Sequence, residues 1–106
     1  MLDSNTDVQI LAYFFADLAL PADAIDCGPW GWHGVDDWRR GFLTWERDVA
    51  AISVTVAGEQ NHHGEVTRWL HVSGDGECTA RERQQLIATL ATAGELFDSL
   101  MAPKRR

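Results

Sequence analysis

In AISVTVAG (residues 51–58) apolar and polar side chains take turns: Ile52, Val54 and Val56 alternate with Ser53, Thr55 and Ala57. A period of two puts the apolar set on one face of a strand. EVTRWLHVS (65–73) alternates as well, with Val66, Leu70 and Val72 sharing a face with Arg68, and Thr67, Trp69, His71 and Ser73 opposite. The link QNHHG (60–64) holds an asparagine and a glycine, which tolerate positive φ, so the two runs are expected to pair as an antiparallel hairpin. GFLTWERDV (41–49), with its aromatic start and polar end, is a third strand candidate.

Helical spacing flanks this block. In DVQILAYFFADLAL (7–20), Val8, Leu11, Phe14, Phe15 and Leu18 fall on one helix face. Ser4 with Asp7 supplies an N-terminal cap, and Pro21 ends the helix. Near the other end Thr79-x-x-Glu82 spells a capping box, and a helix is predicted over 79–101. Leu86, Ile87, Leu90, Gly94, Phe97 and Met101 share its apolar stripe. A mid-helix glycine costs roughly 1 kcal/mol against alanine, and a close backbone approach to the sheet would account for Gly94. Residues 21–41 have no clean period and read as an ordered loop; 102–106 form a basic tail.

The pattern therefore predicts a single two-layer α+β domain, α-β-β-β-α, in which a three-stranded antiparallel meander over 41–73 buries one face under N- and C-terminal helices. Its other face would carry Trp69, His71 and Trp45. A bare aromatic face calls for a cover: the 21–41 loop, a second copy of the chain, or another protein.

Composition fits one folded domain, with 106 residues, 45% hydrophobic and 24% charged. The net charge is −7, and residues 1–38 hold seven aspartates and no Lys or Arg. Lys104, Arg105 and Arg106 close the chain, so the remainder is more acidic still. Such a body repels phosphate, which disfavours direct nucleic-acid binding. It also suits an acidic decoy that fills the basic groove of a nucleic-acid-binding protein. No apolar run is long enough to span a bilayer, and no basic segment precedes a cleavable apolar stretch, so a cytoplasmic location is expected. Two cysteines, Cys27 and Cys78, are too few for a secreted disulfide framework and are expected as free thiols.

Candidate chemistry concentrates in CGPWGWHG (27–34). Cys27, His33, His62 and His63 are candidate metal ligands, together with Cys78, yet none of them forms the two close pairs of a strong zinc site. The series CGPW (27–30), His33, a hairpin over 51–73 and CTARERQQLIATLATAGELF (78–97) resembles a family of uncharacterised small actinobacterial domains, across residues 27–100. That resemblance implies a Cys-x-x-Trp-Cys metal site with later histidines, but Gly31 stands where the second cysteine would be. No metal and no cofactor are expected.

Catalysis has thinner support. His33 with Asp36 or Asp37 would make an oriented base, with Ser53, Ser73 or Cys78 as nucleophile. Cys78 lies just ahead of a helix start that favours thiolate, and His71 or His33 would be its base. No nucleophile elbow, G-x-G-x-x-G or P-loop accompanies them, and no enzyme is expected. Five tryptophans are many for this length. Trp30, Trp32, Trp38 and Trp69, rimmed by Asp36, Asp37, Arg39 and Arg40, form the expected docking set, because indoles and guanidiniums dominate interface energetics. In an extended WGW, Trp30 and Trp32 share a side, and the segment reads as a clamp over the open sheet face. The expected role is a non-enzymatic protein-binding accessory factor, of actinobacterial or phage type, with a homodimer as one candidate assembly; the alternatives are the acidic decoy and a metal-binding module built on Cys27 and His33.

Overall fold

The computed structural model describes residues 18–103. Strands β1 (Asp26–Cys27), β2 (Gly31–Gly34), β3 (Asp37–Val49), β4 (Ile52–Asn61) and β5 (Val66–Ser73) form one antiparallel sheet, followed by helix α1 (Ala80–Met101). The class is α+β, with five strands where the sequence predicts three. β4 pairs with β3 from Arg39 to Val49, so β1 and β2 lie end to end along the opposite edge of β3. Of the expected N-terminal helix over 7–20, residues 7–17 lie outside the described residues, and 18–20 are not helical. No helix among the described residues is long and apolar enough to cross a membrane.

The segment expected as an ordered loop over 21–41 is thus the sheet's broken edge and the first rows of β3. Arg39, Arg40 and Gly41 read as loop because they are not apolar. They stand in a strand because each polar head finds a partner. The Arg40 guanidinium donates to the Leu18 carbonyl (2.6 Å) and to Gln60 Oε1 (2.9 Å), and lies 4.8 Å from the centre of the Trp30 ring. The edge breaks at Gly28-Pro29-Trp30, where proline lacks the N–H that a ladder needs. Cys27 stands opposite Phe42 and Gly31 opposite Arg39, so the edge carries one residue more than β3 over that span. The extra residue shifts the alternation and puts Trp30 on the same face as Trp32.

A second irregularity overturns the placement of Trp45. Leu43 stands opposite Ala57 and Trp45 opposite Val56, leaving Thr44 as a bulge. Past that bulge Trp45 turns to the helix side and packs on the core of Val54, Val56 and Ala93, together with Ile52, Leu70, Leu86 and Phe97. Trp69 and His71, opposite Ala57 and Thr55, take the other face as the alternation predicts.

Helix α1 begins at the predicted capping box. Thr79 accepts from the Glu82 N–H (3.1 Å) and Glu82 accepts from the Thr79 N–H (2.9 Å). That second bond holds the Glu82 carboxyl below the usual carboxylate range. The helix presents Thr89 and Ala93 to the sheet, so Ile87, Leu90 and Met101 of the expected stripe are exposed. Gly94 is also turned away: a methyl there would meet nothing within 4 Å, so no close approach to the sheet accounts for it.

Among the described residues, the far half of the same sheet face is held by the segment 18–25 rather than by the buried apolar cluster. Beyond Gly58, where a Cβ would run into the Phe42 ring and lie 2.6 Å from the Thr67 carbonyl oxygen, Arg40, Gln60 and Arg68 stand on this face with the buried Trp30 beside Arg40. Arg68 grips Asp23 with two bonds of 2.6 and 2.8 Å, and Thr44 donates to the same carboxylate (2.6 Å). Gln60 donates to the Ala19 carbonyl (2.9 Å). The segment 18–25 is tied across β3, β4 and β5 by this network.

Candidate functional site

Two hairpin turns meet at one end of the sheet. The β2–β3 turn carries Val35 and Asp36, and the β4–β5 turn carries His62, His63 and Gly64. Both turns flank Trp38. Its backbone pairs with Trp32 on the β2 side; on the β4 side its carbonyl accepts from the His62 N–H (2.9 Å). Its own N–H donates to His62 Nδ1 (3.3 Å). With Nδ1 acting as acceptor, a neutral His62 carries its proton on Nε2, which lies 3.0 Å from Asp36 Oδ1 and donates to it.

The site is held by more than that clasp. Asn61 Oδ1 accepts from the backbone N–H groups of His63 (3.0 Å) and Glu65 (2.9 Å), which fixes the second turn. Asp36 sits at φ 56°, in the left-handed region that aspartate tolerates better than most residues. Its other oxygen, Oδ2, lies 4.0 Å from His63 Nε2, and the two imidazole centroids are 4.0 Å apart. Arg39 bonds both oxygens of Asp37 (2.8 and 2.7 Å) and reaches Glu59 at 3.3 Å. The guanidinium holds the Asp37 carboxyl below the ordinary carboxylate range, aided at longer reach by His33 and His62.

Two apolar side chains at this end of the sheet are exposed. The Trp32 side chain is 64% exposed and Val35, at the turn tip, 94% exposed. The expected docking set is therefore divided. Asp37 and Arg39 pair with each other on the face of β3 opposite to Trp32, and Asp36 lies in the turn between β2 and β3. Trp30 is buried, Trp38 is half-buried, and Arg40 is half-buried over the Trp30 ring. Trp69 is exposed on the other face of the sheet, so the indoles do not gather in front of one surface.

The candidate metal ligands are also divided. Cys27 lies beside Phe42, whereas His33 falls between residues paired with Trp38 and Asp37. At about 3.3 Å per residue these rows are more than ~10 Å apart along β3, so the pair does not share an ion. Both cysteines are free and exposed. Instead His62 and His63 converge with Asp36, their donor atoms all within 4.8 Å of one another. Sequence spacing hid this group, because Asp36 is 26 residues from His62 and only the pairing of β3 with β4 joins the two turns. No protein-family model, curated protein or solved structure matches this chain.

Proposed function

We propose that the chain is a non-enzymatic accessory factor that binds another protein through the two-hairpin end of its sheet, with Trp32 as the anchor. The observation that carries this reading is a tryptophan left 64% exposed on a strand whose backbone is paired and whose neighbouring turns are clasped. A rigid, solvated indole loses little entropy on docking and gains a large desolvated area, which is how interface anchors behave. Val35 extends the apolar patch. Asp36 borders that patch at the turn; the Asp37–Arg39–Glu59 cluster, with both signs of charge, lies on the reverse face of the sheet and is no part of its rim.

The acidic-decoy reading draws less support. Asp37 is paired with Arg39, and Asp23 with Arg68, so neither presents a free negative charge.

Affinity capture from the native host, run in parallel with wild type and Trp32→Ala, tests the proposal. Wild type should retain a protein that the variant releases, while the variant's thermal midpoint stays within a few degrees because the ring is exposed. A variant that keeps every partner and its full stability would remove Trp32 from the interface and end this reading.

A further inference from the structure

We infer that Asp36, His62 and His63 form a site for a divalent transition-metal ion, bridging the β2–β3 and β4–β5 turns. Two imidazoles and a carboxylate, with further positions open to water, are a donor set suited to Zn²⁺, Ni²⁺, Cu²⁺ or Fe²⁺ rather than to oxygen-seeking Mg²⁺ or Ca²⁺. The geometry is close to that need. With metal–ligand bonds of about 2.0–2.1 Å, neighbouring donors around one ion stand roughly 3.0–3.4 Å apart. His62 Nε2 and Asp36 Oδ1 are already 3.0 Å apart. The 4.0 Å between His63 Nε2 and Asp36 Oδ2 runs to the other carboxylate oxygen, and the widest gap among the three donors, up to 4.8 Å, must close by more than about 1 Å to reach that spacing. His63 is exposed and can turn to close it, while its backbone is fixed by Asn61.

A proton stands in the way at His62, and moving it carries a cost. Nε2 carries that proton toward Asp36 while Nδ1 accepts from Trp38. An ion bound at Nε2 sends the proton to Nδ1, and the Trp38 contact is given up. At 3.3 Å that contact is long for a hydrogen bond, but the Trp38 N–H is left facing another donor, which reduces affinity by roughly ten- to a hundredfold unless the ring turns. Asp36 then neutralises part of the ion's charge, as a carboxylate ligand should. The site needs no partner protein, so it stands or falls apart from the docking role of Trp32.

Titration of the purified full chain with Zn²⁺ in a non-chelating buffer, followed by calorimetry, tests it. Binding of one equivalent at micromolar Kd is expected. Asp36→Asn, which keeps a residue suited to positive φ, and His63→Ala, at an exposed position, should each weaken it at least tenfold. Cys27→Ser and His33→Gln should leave it unchanged. As a measurement that needs no variant, Ni²⁺ should selectively broaden amide resonances of residues 34–38 and 60–65 in the wild-type chain. Absence of binding at 100 µM Zn²⁺, Zn²⁺ binding unaffected by both Asp36→Asn and His63→Ala, or broadening centred elsewhere would overturn the assignment.

Discussion

The helix side of the sheet is held in two different ways along its length. At one end Val54 and Val56 are fully buried under α1, with Trp45, Ile52 and Leu70 around them. At the other end the same strands offer Gln60, Arg40 and Arg68, and the covering segment 18–25 supplies carbonyls and one carboxylate. Gly58, packed against Phe42, marks the border. Apolar packing depends on area and shape and is indifferent to pH. A buried ion pair depends on both partners being charged and bonded, and loses more than its own worth when one is removed. The two-hairpin site belongs to the polar end, where orientation is set by directional bonds.

The largest test of this contrast is Asp23→Ala. It leaves the Arg68 guanidinium, whose side chain is 12% exposed, without its carboxylate, and strips Thr44 of its acceptor. Removing one partner of a part-buried pair, together with the acceptor for Thr44, costs about 2–3 kcal/mol, read as a fall in the denaturation midpoint. The pair also predicts a pH dependence. Hydrogen bonds from Arg68 hold the Asp23 carboxyl below its ordinary value, against the opposing effect of burial, with Thr44 assisting. The stabilisation is therefore complete above the unfolded carboxylate value near pH 4. It is lost as pH falls through the lower folded value. Wild type should lose stability in that acid window more steeply than Asp23→Ala; equal slopes would show that the polar end is not held by this charge. Val56→Ala comes next, at about 2 kcal/mol for a lost buried side chain and the cavity left behind. Its cost should be the same at pH 7 and pH 4.

The apolar end was legible in the sequence and the polar end was not. Alternation over 52–56 located β4, and the capping box located α1 to within one residue. The expected strand over 51–58 stops at Gly58, yet β4 runs on to Asn61. Gln60 is buried with both ends of its amide bonded, and nothing in a hydropathy pattern distinguishes a satisfied buried glutamine from a turn residue. Arg39 and Arg40 misled in the same way, which hid β2 and the start of β3. Alternation also cannot announce where it slips. The extra residue at Thr44 changes the face of the Trp45 indole, and the strand order puts Trp69 on the face opposite to Trp32, so the expected gathering of tryptophans does not form. Of the candidate site, Trp32, Asp36, Asp37 and Arg39 could be named from their neighbourhood in sequence. The meeting of Asp36 with His62 and His63 depends on register, which no local pattern carries.

Smaller changes sharpen the contrast at the ends of elements. Thr79→Ala removes the acceptor for the Glu82 N–H and should cost about 1 kcal/mol, weakening α1 and the apolar end without altering Zn²⁺ affinity at the turns. A pair of glycine substitutions is finer still. Ala50, in the β3–β4 turn, and Asp36, in the β2–β3 turn, sit at φ 53° and 56°. Ala50 meets that conformation with only a methyl group, which is disfavoured there. Ala50→Gly relieves the strain and should raise stability by about 0.5 kcal/mol or slightly more, seen as a rise of a few degrees in the thermal midpoint. Asp36→Gly relieves less, since aspartate already tolerates the left-handed region, and it forfeits the bond from His62. It should gain nothing or lose slightly. Were both substitutions to stabilise the chain equally, the Asp36–His62 clasp would contribute nothing to holding the two turns together.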